Sequence, residues 1–273
     1  VSLNSIGGYR NSATFVLTGL DVDAKAALVR RQLDTALTEP PAEVQWTLAR
    51  TDHSDAETEQ TASALLTCTV RDPDSNKVGR RFSSAAVELA LASYPGFHTT
   101  APPADAAVYG LFTPGYVPAV EVEHLAVHAD GTVTPIPPAT ETMELSPVDS
   151  ADAASVPEPL PAGPTRRLPL GTVAGARSGD KGGGANIGLW VRTDAQYRWL
   201  ANTLTVEKIR ELLPETADLT VTRYLLPGIR SVNFVIDGIL GKGVAYQARF
   251  DPQAKGLGEW LRSRHLDIPE EIL

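Results

Sequence analysis

Residues 175 to 186 read GARSGDKGGGAN, with Arg177, Ser178, Asp180, Lys181 and Asn186 set among five glycines. These residue types suit the binding of an anion. Glycines at positions such as Gly179 and Gly182 permit positive φ and uncover successive backbone N–H groups, which together can form an anion-binding concavity. Arg177 and Lys181 add charge, and Asn186 can donate or accept a hydrogen bond. Ser178 is a nucleophile only beside a base. Asp180 fits three roles: acid/base, metal ligand, or structural partner of Arg177 or Lys181. The plainer reading is a mobile loop between two strands. The stretch is neither of the common nucleotide motifs. Lys181 is followed by Gly182 rather than Ser or Thr. The residues after Asn186 read as a strand, so no helix dipole is aimed at the loop.

A second cluster is RYLLPGIRSVNFVIDGILGKG, residues 223 to 243. Arg223 and Arg230 are cations near strand ends. Asn233 lies inside an apolar strand, where an unpaired amide is costly, so it needs a partner. A third is the irregular segment 93 to 116, with His98, Tyr94, Tyr109 and Tyr116. Long irregular segments often carry function, and a loop histidine can titrate near neutrality. A solvated or structural histidine is the commoner case. His124 and His128 share a strand face without helical metal-site spacing, and His53 and His265 read as surface positions. There is no HExxH, CxxC or GxSxG, so no metal and no cofactor is expected.

These groups must be positioned by a chain of 273 residues, enough for one or two domains. Residues 1 to 20 read as a hairpin turning near Gly7-Gly8 or Asn11-Ser12. A helix follows, with Val22, Ala26, Val29, Leu33 and Leu37 on one face. VQWTLAR and SALLTCTVRD read as strands, VGRRFSSAAVELALASYPG as a second helix, and residues 119 to 137 as a hairpin turning at Asp130-Gly131. Residues 137 to 166 hold seven prolines and read as an extended linker or a long draped loop. Beyond it, RRLPLGTVAGARSGD and ANIGLWVR are strands flanking the glycine-rich stretch. Helices follow near 194–202 and 205–213, then three strands (DLTVTRYLLP, SVNFVIDGIL, GVAYQARFD), and a last helix from about Lys255. The fold class is therefore α+β. An N-terminal α+β region with two helices, 1–136, is joined by a Pro-rich linker, 137–166, to a compact α+β domain, 167–273.

The net charge of −9 argues against nucleic acid and anionic membranes as partners. Residues 1–137 carry nine basic against sixteen acidic residues, 138–166 one against five, and 167–273 fourteen against twelve. The balance is positive only in the segment holding the glycine-rich stretch. The single cysteine, Cys68, excludes an internal disulfide and alternates into a strand core. With no visible signal peptide or membrane-length apolar run, a cytoplasmic protein is expected. The start at Val1, already in strand-like sequence, is what a processed chain or part of a longer protein would give.

ARSGDKGGGANIGLWVR, with LPGIRSVNFVIDGILGKGVA and DPQAKGLGEWL downstream, resembles the C-terminal domain of the acyclic terpene utilisation protein A (AtuA) family. GGYRNSATFVLTG, LASYPGFHTTAPP and YGLFTPGYVP are similar to its upstream part. The resemblance implies a ferredoxin-like fold for the last domain and a role in catabolism of acyclic terpenes and branched acyl-CoA thioesters. It also implies a longer N-terminal region with a Rossmann-like layout, which these residues lack and which a separate subunit could supply. On this reading Asp180 and Lys181 are catalytic candidates, for hydration, dehydration or thioester chemistry. Arg177, Ser178, Gly179, Gly182, Asn186, Asn233 and Arg230 bind an anionic small molecule such as an acyl-CoA. Arg10, His98 and Tyr109 are secondary candidates. The alternative is a non-catalytic assembly subunit that forms oligomers through the ferredoxin-like domain.

Overall fold

The structure, a computed structural model, describes residues 1–143 and 155–273. It divides into two units. One comprises Asn4–Leu111 and the hexapeptide Ala245–Phe250; the other comprises Val1–Leu3, Phe112–Val244 and Asp251–Leu273.

The first unit is built on β1 (Ser2–Thr18), which pairs antiparallel with β3 (Ser63–Asp72) from Tyr9↔Asp72 to Thr18↔Ser63. β2 (Glu43–Ala49) lines the far side of β3, and β4 (His98–Thr99) and β5 (Ala107–Pro114) pair with β1. The period-two pattern gives the sheet two unlike faces. Ala13, Phe15, Leu17, Leu66, Cys68 and Val70 are buried on one, against α1 (Val22–Ala36) and α3 (Arg80–Glu88). The other carries Arg10, Ser12 and Thr14 opposite Arg71, Thr69 and Thr67. Helix α1 buries Val22, Ala26, Val29 and Leu33, as the spacing predicted.

Two sequence expectations fail here. Residues 1–20 are one long strand, not a hairpin. Gly7 is there because a Cβ would sit 2.4 Å from the Tyr109 ring, and Gly8, at φ 124°, lies against the Asp72 carbonyl. Both glycines serve close approach within a strand rather than a turn. The second helix is shorter than VGRRFSSAAVELALASYPG suggested: α3 ends at Glu88 with one 3-10 turn, Leu89–Leu91, beyond it, and a short α2 (Ser75–Val78) precedes it, set off at Gly79, whose ψ of −123° is not helical.

The second unit holds a four-stranded antiparallel sheet in the order β11-β12-β10-β9: β9 (Gly175–Lys181), β10 (Gly184–Trp190), β11 (Val221–Leu226) and β12 (Ser231–Ile236). Between β10 and β11 run α4 (Asp194–Thr203) and α5 (Val206–Leu212); α6 (Leu257–Ser263) follows β12. One sheet face buries Ala185, Ile187, Leu189, Val232, Phe234 and Ile236 in a core shared with residues of all three helices. Thr193 caps α4 in a capping box with Gln196. β6 (His124–Val127) and β7 (Val133–Ile136) form the hairpin expected around Asp130-Gly131.

RRLPLGTVAGARSGD is not one strand. Its start is β8 (Thr165–Pro169), paired with β13 (His265–Pro269) from near the chain end, and β9 begins only at Gly175. GVAYQARFD forms no strand; its residues 245–250 belong to the first unit. Of the Pro-rich linker, residues 144–154 lie outside the described residues. Arg198 and Asn202 of α4 bind the carbonyls of Pro157, Glu158 and Pro159 at 2.8–2.9 Å, so this part of the linker has a neighbour that holds it.

Candidate functional site

The glycine-rich stretch folds almost wholly into β9 and β10, with Gly182-Gly183 as the connecting turn. Gly182 has φ 64°, and a Cβ on Gly183 would lie 2.3 Å from the Gly241 carbonyl. Residues 175–181 are therefore extended edge strand rather than a long anion-binding loop, which removes the backbone concavity expected from composition.

The strand period then sorts the candidate residues. Ser178 and Asp180 lie opposite Ile187 and Ala185, on the helix-covered face. Arg177, Gly179 and Lys181 lie on the open face, opposite Gly188, Asn186 and Gly184. Ser178 is buried. Its Oγ accepts from the Gly258 amide at 2.8 Å and donates to the Lys255 carbonyl at 3.2 Å, so it satisfies a first-turn amide of α6 from outside the helix. Asp251 accepts from the Lys255 and Gly256 amides just ahead of it.

Asp180 has Lys255 as its partner, with Nζ 3.5 Å from Oδ1, and not Arg177 or Lys181. Lys181 donates to the Asp180 backbone oxygen at 3.2 Å. Lys255 also lies 3.2 Å from where a Gly179 Cβ would stand. The edge strand β9 is thus lined by three cations: Arg177, Lys181 and Lys255. Lys255 is distant in sequence, and only its seat ahead of α6 brings it here.

Across the open face the register sets Tyr224, Asn233, Gly188 and Arg177 in one row. Gly188 carries no side chain, so a gap separates Arg177 from Asn233, two strands away and about 9–10 Å off. Asn186 bridges toward it, its Nδ2 donating to Asn233 Oδ1 at 3.2 Å. That pair supplies the partner Asn233 required. Arg177 is exposed and its side chain makes no hydrogen bond or ion pair among the described residues.

The other candidates lie elsewhere. Arg230, in the left-handed region at φ 49°, precedes the Ser231↔Trp190 end of the sheet and pairs with Asp194 at 2.5 Å. It is about 20 Å along the strands from the Gly182 turn. Arg223 donates to the Ala201 and Leu204 carbonyls, closing the C-terminus of α4.

In the first unit, His98 is exposed, its Nδ1 3.0 Å from the Gly96 carbonyl. Tyr109 is buried under Gly7 and stacks edge-on to Tyr246. Arg10 donates to the Ala245 carbonyl at 2.8 Å. Arg71, which sequence reading missed, is fully buried. It donates to the Tyr246 carbonyl at 2.6 Å, and its guanidinium lies 4.1 Å from that tyrosine's ring centre. The Tyr246 hydroxyl donates to Glu43 at 2.6 Å, and this hydrogen bond holds the phenol above its ordinary pKa. Two arginines on the polar sheet face thus grip the backbone of residues 245–250. The hexapeptide's alternating pattern looked like a strand because nothing local reveals a side-chain clasp.

Cys68 is fully buried and burial pushes its thiol pKa well up, as suits a core residue. Among the described residues no group of three or more His, Cys, Asp or Glu side chains could hold a metal, and no helix is long and apolar enough to cross a membrane.

The sequence matches the family model described as acyclic terpene utilisation family protein AtuA over residues 1–128, and that of the AtuA ferredoxin-like domain over residues 168–267. The chain belongs to the AtuA family, and its sheet of β9 to β12 with helices on one face lies within the ferredoxin-like domain. Neither the curated proteins nor the solved structures compared with the chain yield a match.

Proposed function

We propose that the open face of the ferredoxin-like sheet binds the anionic part of a branched acyl-CoA or of the corresponding carboxylate, in the acyclic terpene utilisation that the family name describes. The observation that carries this reading is Arg177: an exposed guanidinium with no side-chain partner among the described residues, beside a gap floored by Gly188 and bounded by the Asn186–Asn233 pair. A planar guanidinium suits bidentate capture of a carboxylate or phosphate. Lys181 and Lys255 along the same strand raise the local potential. The amides of Asn186 and Asn233 can orient a carbonyl or carboxylate oxygen across the gap. Asp180 lies on the other, helix-covered face and pairs with Lys255, so in this reading it holds that lysine at the strand edge rather than transferring a proton in the gap.

The test is a calorimetric titration of the full chain with isovaleryl-CoA, isovalerate and CoA. Binding of the thioester or the acid should weaken about tenfold or more in Arg177→Gln. Equal affinity in the variant, or no binding of any of the three, overturns the proposal.

A second reading has its own observation. Trp190, Tyr224 and Leu226 share that face and are 46%, 49% and 40% exposed. An aromatic sheet surface of this kind suits association between copies. Native mass spectrometry of wild type and Trp190→Asp separates the two. Assembly through this face predicts an oligomer that the variant dissociates.

A further inference from the structure

The polar sheet face of the first unit forms the floor of an open cavity of about 360 Å³, within the size range of small-molecule sites. The floor is hydroxyl-lined. Ser12 lies opposite Thr69, and Thr67 opposite Thr47, so four hydroxyls from three adjacent strands point to one side. Thr67 bonds Thr14 at 3.0 Å; no other protein partner is made by the Ser12, Thr47 or Thr69 hydroxyl among the described residues.

Arg10 stands at one side. Its Nη1 is committed to the hexapeptide carbonyls of Ala245 and Gln247, which fixes the guanidinium. Asp105 stands on another wall and forms no ion pair among the described residues, with Arg10 or any other cation. That wall is held in place: the buried Asn11 amide donates to the Ala104 carbonyl at 2.6 Å, as does Ser83 Oγ at 2.7 Å. The cavity therefore presents a fixed cation, an unpaired carboxylate and a row of hydroxyls on a rigid sheet. Arg249 and the apolar side chains of Ala104, Ala107, Ala248 and Phe250 complete the lining, so the carbon skeleton of a small ligand also finds contacts there.

We infer that this cavity is a second binding site, distinct from the ferredoxin-like sheet face, and that it takes a small hydroxylated carboxylate. The ligand carboxylate sits on Arg10, and its hydroxyl groups bond the Ser12, Thr47 and Thr69 hydroxyls and the Asp105 carboxylate. Such a site discriminates a hydroxy acid from its deoxy analogue, because without the ligand hydroxyl the floor groups stay unpaired under the ligand.

The experiment is a calorimetric or ligand-observed NMR titration of the full chain with 3-hydroxybutyrate and citrate, against butyrate and tricarballylate, with inorganic phosphate as a bare anion. At least one hydroxy acid should bind about fivefold or more tightly than its deoxy partner. Arg10→Gln should lower that affinity about tenfold or more. Since Arg10 also grips the hexapeptide, Thr47→Val provides a variant that leaves the hexapeptide's hydrogen bonds intact. It should erode the hydroxy-over-deoxy preference while leaving affinity for the deoxy acid unchanged. Equal binding of hydroxy and deoxy acids overturns the inference. So does phosphate binding as tightly as any acid, a preference unaltered in Thr47→Val, or no binding up to about 10 mM.

Discussion

Replacing Ser178 by alanine removes one oxygen and distinguishes a residue that supports the site from one that contacts ligand. In the folded chain Ser178 Oγ accepts from the Gly258 amide at 2.8 Å, in a buried setting, and donates to the Lys255 carbonyl at 3.2 Å. The alanine variant leaves the Gly258 N–H without an acceptor and without water. An orphaned buried donor costs about 1–3 kcal/mol, the same order as losing a helix cap. The longer bond to Lys255 adds less. For a unit of this size the loss lowers the melting temperature by about 2–12 °C. The local signature is faster hydrogen exchange at the first-turn amides of α6, with Gly258 foremost. Lys255 is seated just before that turn, so its distance to Asp180 loosens, and affinity for an anion at Arg177 falls only modestly. Differential scanning calorimetry, exchange mass spectrometry and the isovaleryl-CoA titration read these three effects. Unchanged stability and exchange together with lost binding would refute this account and make Ser178 a ligand contact.

Other outcomes follow from the same geometry. Tyr246→Phe should cost about 1–2 kcal/mol through loss of the hydrogen bond to Glu43, read as a shift in urea midpoint. The wild-type contribution has a pH window. A phenol held above its ordinary pKa stabilises the fold fully below about pH 10 and loses that effect as pH rises toward the folded value. The gap between wild type and Tyr246→Phe should therefore narrow as pH is raised beyond about 10, and a constant gap across that range would contradict the clasp. Cys68 should be inert to a thiol reagent in the native state at pH 8 and react only on unfolding; stoichiometric native labelling would contradict its burial. Gly183→Ala should destabilise the second unit by about 1–3 kcal/mol, because its Cβ would meet the Gly241 carbonyl at 2.3 Å. Thermal unfolding measures it, and an unchanged transition would show the turn to be looser than described.

Sequence pattern revealed most where burial is one-sided. The alternation of SALLTCTVRD is β3 residue for residue, and the spacing from Val22 to Leu33 is the buried stripe of α1. The hairpin at Asp130-Gly131 followed from turn chemistry. Features set by distant parts of the chain stayed hidden. Gly7-Gly8 looked like a turn because glycine signals a bend as readily as a close approach, and only Tyr109 and Asp72 decide which. The β8–β13 pair joins residues about a hundred positions apart. For the candidate site, the residue types around Gly182 drew attention to the β9–β10 hairpin. The strand period then separated Arg177 from Ser178 and Asp180 by face. A loop reading has no faces, so composition could not make that division. Lys255 and Arg71 carried no local signal, since each matters through a partner that only the fold supplies.

The central claim is that an anionic ligand binds on the open sheet face at Arg177. NMR spectra of the side-chain amides of Asn186 and Asn233 and the indole N–H of Trp190, recorded during an isovaleryl-CoA titration, test it most directly. The account predicts that all three signals shift together, saturate at one equivalent, and stop responding in Arg177→Gln. Stationary signals on this face while resonances elsewhere shift and saturate would contradict it.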